Sequence, residues 1–62
     1  MYVKVITVNG SFVFENVLDI DNNFLNGFVR FVIEEENDEF EIRQEIIKES
    51  EIISITILSE DY

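Results

Sequence analysis

The chain lacks cysteine, histidine, tryptophan, proline and alanine, and it contains only two glycines. Without cysteine and histidine it has no disulfide, no thiolate site and none of the common zinc or copper sites. Two glycines are too few for a glycine-rich phosphate-binding loop. Alanine is the best helix former, so its absence favours strands, as does a hydrophobic content made mainly of Val, Ile and Phe.

The length of 62 residues is enough for a single domain over residues 1–62. A domain of this size buries a modest fraction of its surface, so we expect its stability to be low. The usual supports of small domains are missing, and no metal or cofactor is expected. Self-association is the remaining way to bury more surface, and we therefore expect a homodimer or a higher homo-oligomer.

The charge is strongly negative, with 14 acidic against 4 basic residues and a formal net charge of −10. Such a chain repels phosphate, so direct binding to nucleic acid or to an anionic membrane surface is disfavoured. The acidity either keeps an apolar strand protein soluble or serves a protein partner with a basic surface. No signal peptide and no apolar run of membrane-spanning length is visible, so the expected location is the cytoplasm.

Alternating apolar and polar residues predict an almost all-β domain. The predicted strands lie near residues 2–8, 11–18, 28–36, 39–44 and 52–58. A polar run that contains Ile46 and Ile47 predicts one helical or 3₁₀ turn within 45–51, before the last strand. Asn, Asp and Gly cluster between residues 19 and 27, which predicts a loop.

That loop carries a partial calcium motif. Asp19, Asp21 and Asn23 match the first three ligand positions of an EF-hand loop. Phe24 and Arg30 stand where the motif needs glycine and glutamate, so a polar turn is the favoured interpretation.

The first two predicted strands flank Asn9-Gly10, the strongest short-range signal for a hairpin. A turn at these two residues would pair Ile6 with Val13 and Lys4 with Glu15. The core face is then predicted to carry Val5, Thr7, Phe12 and Phe14. The opposite face carries the apolar residues that we predict to mediate self-association: Tyr2, Ile6, Val13 and Val17.

The second predicted hairpin contains the densest run of acidic residues, between positions 34 and 41. A tip at Asn37-Asp38, with Glu36 opposite Glu39, would pair Ile33 with Ile42 and Arg30 with Glu45. Its core face is predicted to carry Val29, Phe31, Ile33, Phe40 and Ile42. Its other face is predicted to gather Glu34, Glu36, Glu39 and Glu41, with Arg30 and Arg43 towards the base. These charges either form a solvated tip that discourages edge pairing or imitate a phosphate backbone. In the second case the partner-binding residues are Glu34, Glu36, Asp38, Glu39 and Glu41.

The layout of five short strands, with a turn before the last one, resembles the Sm-like and SH3-like small β-barrels. The segment from Val3 to Phe12 resembles the first Sm hairpin, and 45–53 resembles the last turn and strand. The segment 22–26, Asn-Asn-Phe-Leu-Asn, is similar to the family's Asp-x-x-Met-Asn. Asn16 replaces the glycine of a sharp bend, and the RNA-binding Arg-Gly pair is absent. The resemblance implies a strongly bent antiparallel sheet or barrel that self-associates, and it does not imply RNA binding.

No constellation of residues points to catalysis, so we expect a protein that is not an enzyme. The serines lie in no nucleophile motif, and the carboxylates lack the desolvated pocket that acid–base chemistry requires. The leading hypothesis is a small regulator or inhibitor that occupies a basic, nucleic-acid-binding surface of another protein. In size and charge the chain resembles phage-encoded inhibitors of host or defence enzymes, which act in the host cytoplasm. The alternative is a self-associating Sm-like scaffolding module.

Overall fold

A computed structural model of the chain describes residues 1–35 and 41–59, apart from the side chain of Asn23. These residues form six strands and one 3₁₀ turn, which spans Glu49–Glu51. The strands in chain order are β1 (Tyr2–Thr7), β2 (Gly10–Phe14), β3 (Val17–Leu25), β4 (Phe28–Glu35), β5 (Glu41–Lys48) and β6 (Ile52–Ser59). The predicted all-β class is confirmed, and a short turn precedes the last strand as predicted, although Ile46 and Ile47 belong to β5 rather than to the turn.

The strands form two antiparallel sheets of three strands each. The first sheet has the order β2-β1-β6, and the second has the order β3-β4-β5. Their inner faces meet in a core of Val3, Val5, Val17, Val29, Phe31 and Ile33. Among the described residues the sheets do not close into a barrel, and β2, β3, β5 and β6 are all edge strands. The last of these, β6, contains no charged residue.

The first hairpin forms, but its turn is one residue earlier than predicted. Val5 pairs with Phe12 and Thr7 pairs with Gly10, so the turn residues are Val8 and Asn9. The Thr7 hydroxyl donates to the Gly10 carbonyl at 2.9 Å and accepts the Asn9 N–H at 3.1 Å. Gly10 is the first residue after the turn, and its φ of 135° is a conformation that glycine adopts readily.

The predicted pairs Ile6–Val13 and Lys4–Glu15 are therefore wrong, because Val13 lies opposite Lys4. The register differs by two residues, and a shift of two leaves every side chain on its predicted face. Val5 and Thr7 are buried, and Phe14 packs against the core, as the sequence predicted.

The predicted second strand is divided in two by a bend at Asn16, which has a φ of 58°. Asparagine adopts this left-handed conformation more readily than most residues. The bend carries the chain from the first sheet into the second, where Val17 lies opposite Ile33. Val17 has no exposed surface, so its predicted place on an outer, self-associating face is wrong.

The predicted loop over 19–27 is mostly strand, since β3 continues to Leu25. Register shifts before Asp19 and after Asp21 allow Ile20 to pack against the core. Asp21 forms an ion pair with Arg30 at 3.1 Å on the opposite face. Only Asn26 and Gly27 form the turn, where Gly27 has a φ of 85°. Tertiary packing and an ion pair thus override the turn-forming tendency of Asp and Asn.

The register of the second hairpin differs by one residue from the prediction. Ile33 pairs with Arg43 and Val29 pairs with Ile47. A shift of one residue moves every side chain of β5 to the opposite face. The core face of β4 is as predicted, but Ile42 is 65% exposed, and Ile47 packs against the core instead. Phe40 lies outside the described residues.

Candidate functional site

The acidic hairpin does not present the predicted single face. Glu34 lies opposite Ile42 on the outer face of the second sheet, and Glu41 lies opposite Glu35 on the other face. Glu34 and Glu41 therefore point to opposite sides of the sheet. The remaining predicted partner-binding residues, Glu36, Asp38 and Glu39, lie outside the described part of the chain.

Two carboxylates, those of Glu35 and Glu41, stand directly opposite each other where the described ladder ends. Side chains in such cross-strand positions are about 5 Å apart at Cβ, and like charges there are destabilising. Arg43 relieves part of this repulsion because its guanidinium forms ion pairs with both Glu35 and Glu45. The arginine is shared, so this end of the hairpin keeps an excess of negative charge.

The outer face of the first sheet is the predicted self-association surface, and three of its four residues are there. Tyr2 is 39% exposed, Val13 is 57% exposed and Ile6 is half-buried. Lys4 lies among them and pairs with Val13 on one side and Thr56 on the other. No acidic residue occupies the outward strand positions of this face among the described residues. The face therefore lacks the negative charge of the rest of the molecule.

The outer face of the second sheet is built around Arg30. Its guanidinium lies 4.5 Å from the centre of the Phe24 ring and forms the ion pair with Asp21. Arg30 also pairs with Ile46, which is 48% exposed, rather than with Glu45 as predicted. Because both its charge and its flat surface are occupied within the chain, this arginine stabilises β3 against β4.

An open groove separates β2 of the first sheet from β5 of the second, and we name it the β2–β5 groove. It consists of two adjoining cavities of about 410 and 490 Å³, which share Phe14. Phe12 and Phe14 stack with their ring centres 6.3 Å apart, and Ile47 faces them from β5. At one end the Val8 N–H donates to the Glu51 carbonyl at 2.9 Å, which joins the first turn to the 3₁₀ turn.

Carboxylates dominate the rim of this groove. The lining includes five acidic and two basic residues: Glu15, Glu34, Glu35, Glu45, Glu51, Arg43 and Lys48. Of these, Glu34 directs its side chain to the outer face of the second sheet, which leaves four acidic residues for the rim. This site does not follow from the sequence, because the alternation within a strand does not indicate which strand edges remain open. One residue that pointed to the groove was Phe12, an aromatic residue near the edge of the predicted core.

The described residues contain no group of three acidic side chains close enough to hold a metal ion. They also contain no helix that is long and apolar enough to cross a membrane. No family model matches the chain, and no curated protein or solved structure matches it either.

Proposed function

We propose that this chain is a non-enzymatic regulator or inhibitor that binds a partner protein through a basic surface of that partner. The observation that carries the proposal is the direct opposition of Glu35 and Glu41 at the end of the second hairpin. A solubility device would not require two like charges to face each other, since the same charges spaced apart would repel less. A cationic partner surface would turn this repulsion into attraction.

A nucleic-acid-binding protein supplies a surface of this kind, because its binding cleft must attract phosphates. Carboxylates held on a strand pair, in a chain with a net charge of −10, can occupy such a cleft in place of phosphates. The chain would then act as a competitive inhibitor in the cytoplasm of the cell that contains the partner. This mode of action is compatible with a phage-type inhibitor of a host or defence enzyme.

Neutralising the two opposed carboxylates tests the proposal. The double variant Glu35→Gln/Glu41→Gln is expected to weaken binding to a captured partner about 2- to 30-fold, since exposed ion pairs contribute about 0.2–1 kcal/mol each. The affinity of the wild type is expected to fall with added salt, because the Debye length shortens from about 10 Å at 0.1 M to about 3 Å at 1 M. Both can be measured by titration calorimetry with the partner identified by mass spectrometry.

The matched control is Asp19→Asn/Glu49→Gln, which removes the same charge from two exposed positions elsewhere. Its affinity for the partner is expected to lie within about twofold of the wild-type value, because salt screens charges that are distant from the contact. If both variants weakened partner binding equally, the effect would come from the net charge and not from the acidic hairpin. If neither variant weakened partner binding, the proposal would be rejected.

The alternative function is a self-associating Sm-like scaffolding module. Three features support it: β6 pairs with β1, the chain bends at Asn16, and a 3₁₀ turn precedes the last strand. The outer face of the first sheet would form the subunit contact, because Tyr2, Ile6 and Val13 are apolar and no acidic residue occupies its outward positions in the described part of β1, β2 and β6. Two copies could therefore meet there with little repulsion.

Substitution of Val13 tests this alternative. Val13→Glu is expected to convert an oligomer to a monomer and to leave the fold intact, because Val13 is 57% exposed in the chain. Sedimentation velocity gives the mass, and circular dichroism confirms the fold. Ile42→Glu, which changes the outer face of the second sheet, should leave the oligomer unchanged. A wild type that sediments as a monomer at every working concentration excludes the module.

A further inference from the structure

The β2–β5 groove has the dimensions of a peptide site. Each of its two cavities, of about 410 and 490 Å³, lies within the range of about 300–1,000 Å³ that is typical of binding clefts. Along β5 it extends from Arg43 to Lys48, which corresponds to about 17 Å at a rise of roughly 3.3 Å per residue. An extended segment of five or six residues matches this length.

Both walls of the groove are strand edges. Within residues 1–35 and 41–59, β2 pairs only with β1, and β5 pairs only with β4. The edge of β5 that faces the groove therefore offers backbone N–H and C=O groups for another strand to join. A strand added there would direct alternate side chains onto Phe12, Phe14 and Ile47, which lie at the base of the groove.

The charge of the rim selects the occupant. With Glu34 on the outer face, four acidic residues against two basic ones favour a segment that carries Lys or Arg at the positions between its apolar residues. A second copy of this chain would add another net charge of −10 to an acidic site, so it is a poorer occupant. Phe12 is 45% exposed, which leaves an aromatic surface for an apolar anchor.

We infer that the β2–β5 groove binds an extended segment of a partner protein by strand addition to β5, with an aromatic or branched apolar anchor on Phe12 and Phe14 and flanking Lys or Arg at the rim. The inference rests on the proposed function, because it names the part of the partner that the chain recognises. It differs in mechanism, since it requires backbone pairing and apolar contact as well as charge.

Selection from a phage-displayed library of random octapeptides tests the inference. The enriched peptides are expected to alternate Lys or Arg with Phe, Tyr, Leu or Ile, and to shift the backbone amide resonances of residues 41–48. Phe12→Ala should weaken a selected synthetic peptide at least tenfold, because buried aromatic anchors dominate such contacts. Ile42→Ala, at a position 65% exposed on the opposite face, should bind within twofold of the wild type.

A version of the same peptide that is N-methylated at alternate residues should also bind at least tenfold more weakly, because it cannot donate to β5. The inference is overturned if no peptide is enriched, if the enriched peptides are acidic, or if Phe12→Ala or N-methylation has no effect. Concentration-dependent shifts of residues 41–48 without peptide would identify a second copy as the occupant and would also overturn it.

The outcome can be separated from that of the proposed function. If a captured partner binds Phe12→Ala as tightly as the wild type but loses affinity for Glu35→Gln/Glu41→Gln, the groove inference fails and the proposed function stands. If the selected peptides bind at the groove but no partner responds to the carboxylate variant, the proposed function fails and the groove inference stands.

Discussion

Phe31→Ala is expected to remove a large fraction of the free energy of unfolding. Phe31 has no exposed surface, and its ring lies 5.4 Å from that of Phe14 in a tilted contact that joins the two sheets. Replacement of a buried phenylalanine by alanine costs about 3–5 kcal/mol. A domain of this length has roughly 3–9 kcal/mol of stability in total. The melting temperature should therefore fall by at least about 12 °C, or the transition should disappear.

Circular dichroism with urea or heat measures this change, and Phe12→Ala is the matched control. Phe12 is 45% exposed, so the same substitution there should cost less than about 2 kcal/mol and leave a cooperative transition. A melting temperature for Phe31→Ala within a few degrees of the wild type would show that the core of the two sheets is not organised around this ring.

Asn16→Val is expected to destabilise the protein by about 2 kcal/mol. Asn16 has a φ of 58°, a conformation that costs most residues about 1–2 kcal/mol and is rarer still for β-branched side chains. Its carbonyl also accepts the Glu34 N–H at 3.0 Å, so a backbone that relaxed away from the bend would lose this contact between β4 and the bend. The melting temperature should fall by about 8–16 °C for a domain of this size.

Asn16→Gly provides the opposite test at the same position. Glycine adopts positive φ without steric cost, so this variant should match the wild type within about 1 kcal/mol. If valine and glycine had the same effect, side-chain contacts rather than the backbone conformation of Asn16 would explain the importance of the position.

The buried faces of two strands could be predicted from the sequence, because they follow from the local alternation of residues. In β1 and β4, apolar residues alternate with polar or half-exposed ones, and their buried faces are the predicted ones. In β6 the pairing shifts between Ile6 and Thr7, so Ile52 packs against the core and Ile53 is 65% exposed. An alternation pattern does not encode such an irregularity, because it arises where the strand leaves the 3₁₀ turn.

Register and long-range placement could not be predicted in the same way. The first turn is set by the Thr7 hydroxyl and by the bond from Val8 to Glu51, a residue far along the chain. The register of β4 and β5 differs by one residue from the value expected for a turn at Asn37-Asp38. That single residue places Arg43 on the same face as Glu35, and it divides the acidic residues between two faces.

The candidate site was predicted in its charge but not in its position. The sequence indicated an acidic surface between residues 34 and 41, and part of the groove rim belongs to that segment. The groove itself arises because β2 and β5, about 30 residues apart, stand side by side without pairing. The alternation of residues within β2 or β5 does not show that the two strands fail to pair with each other.

Because the edge strand β6 carries no charge, the resistance of this protein to aggregation depends on charges located elsewhere in the chain. Eight consecutive residues without a charge, at the open edge of a sheet, form a segment of the kind that stacks into cross-β fibrils. At neutral pH the net charge of −10 keeps such edges apart by mutual repulsion between molecules. Near pH 4, where the chain approaches electrical neutrality, that protection vanishes. The acidic residues elsewhere in the chain thus also oppose fibril formation through β6.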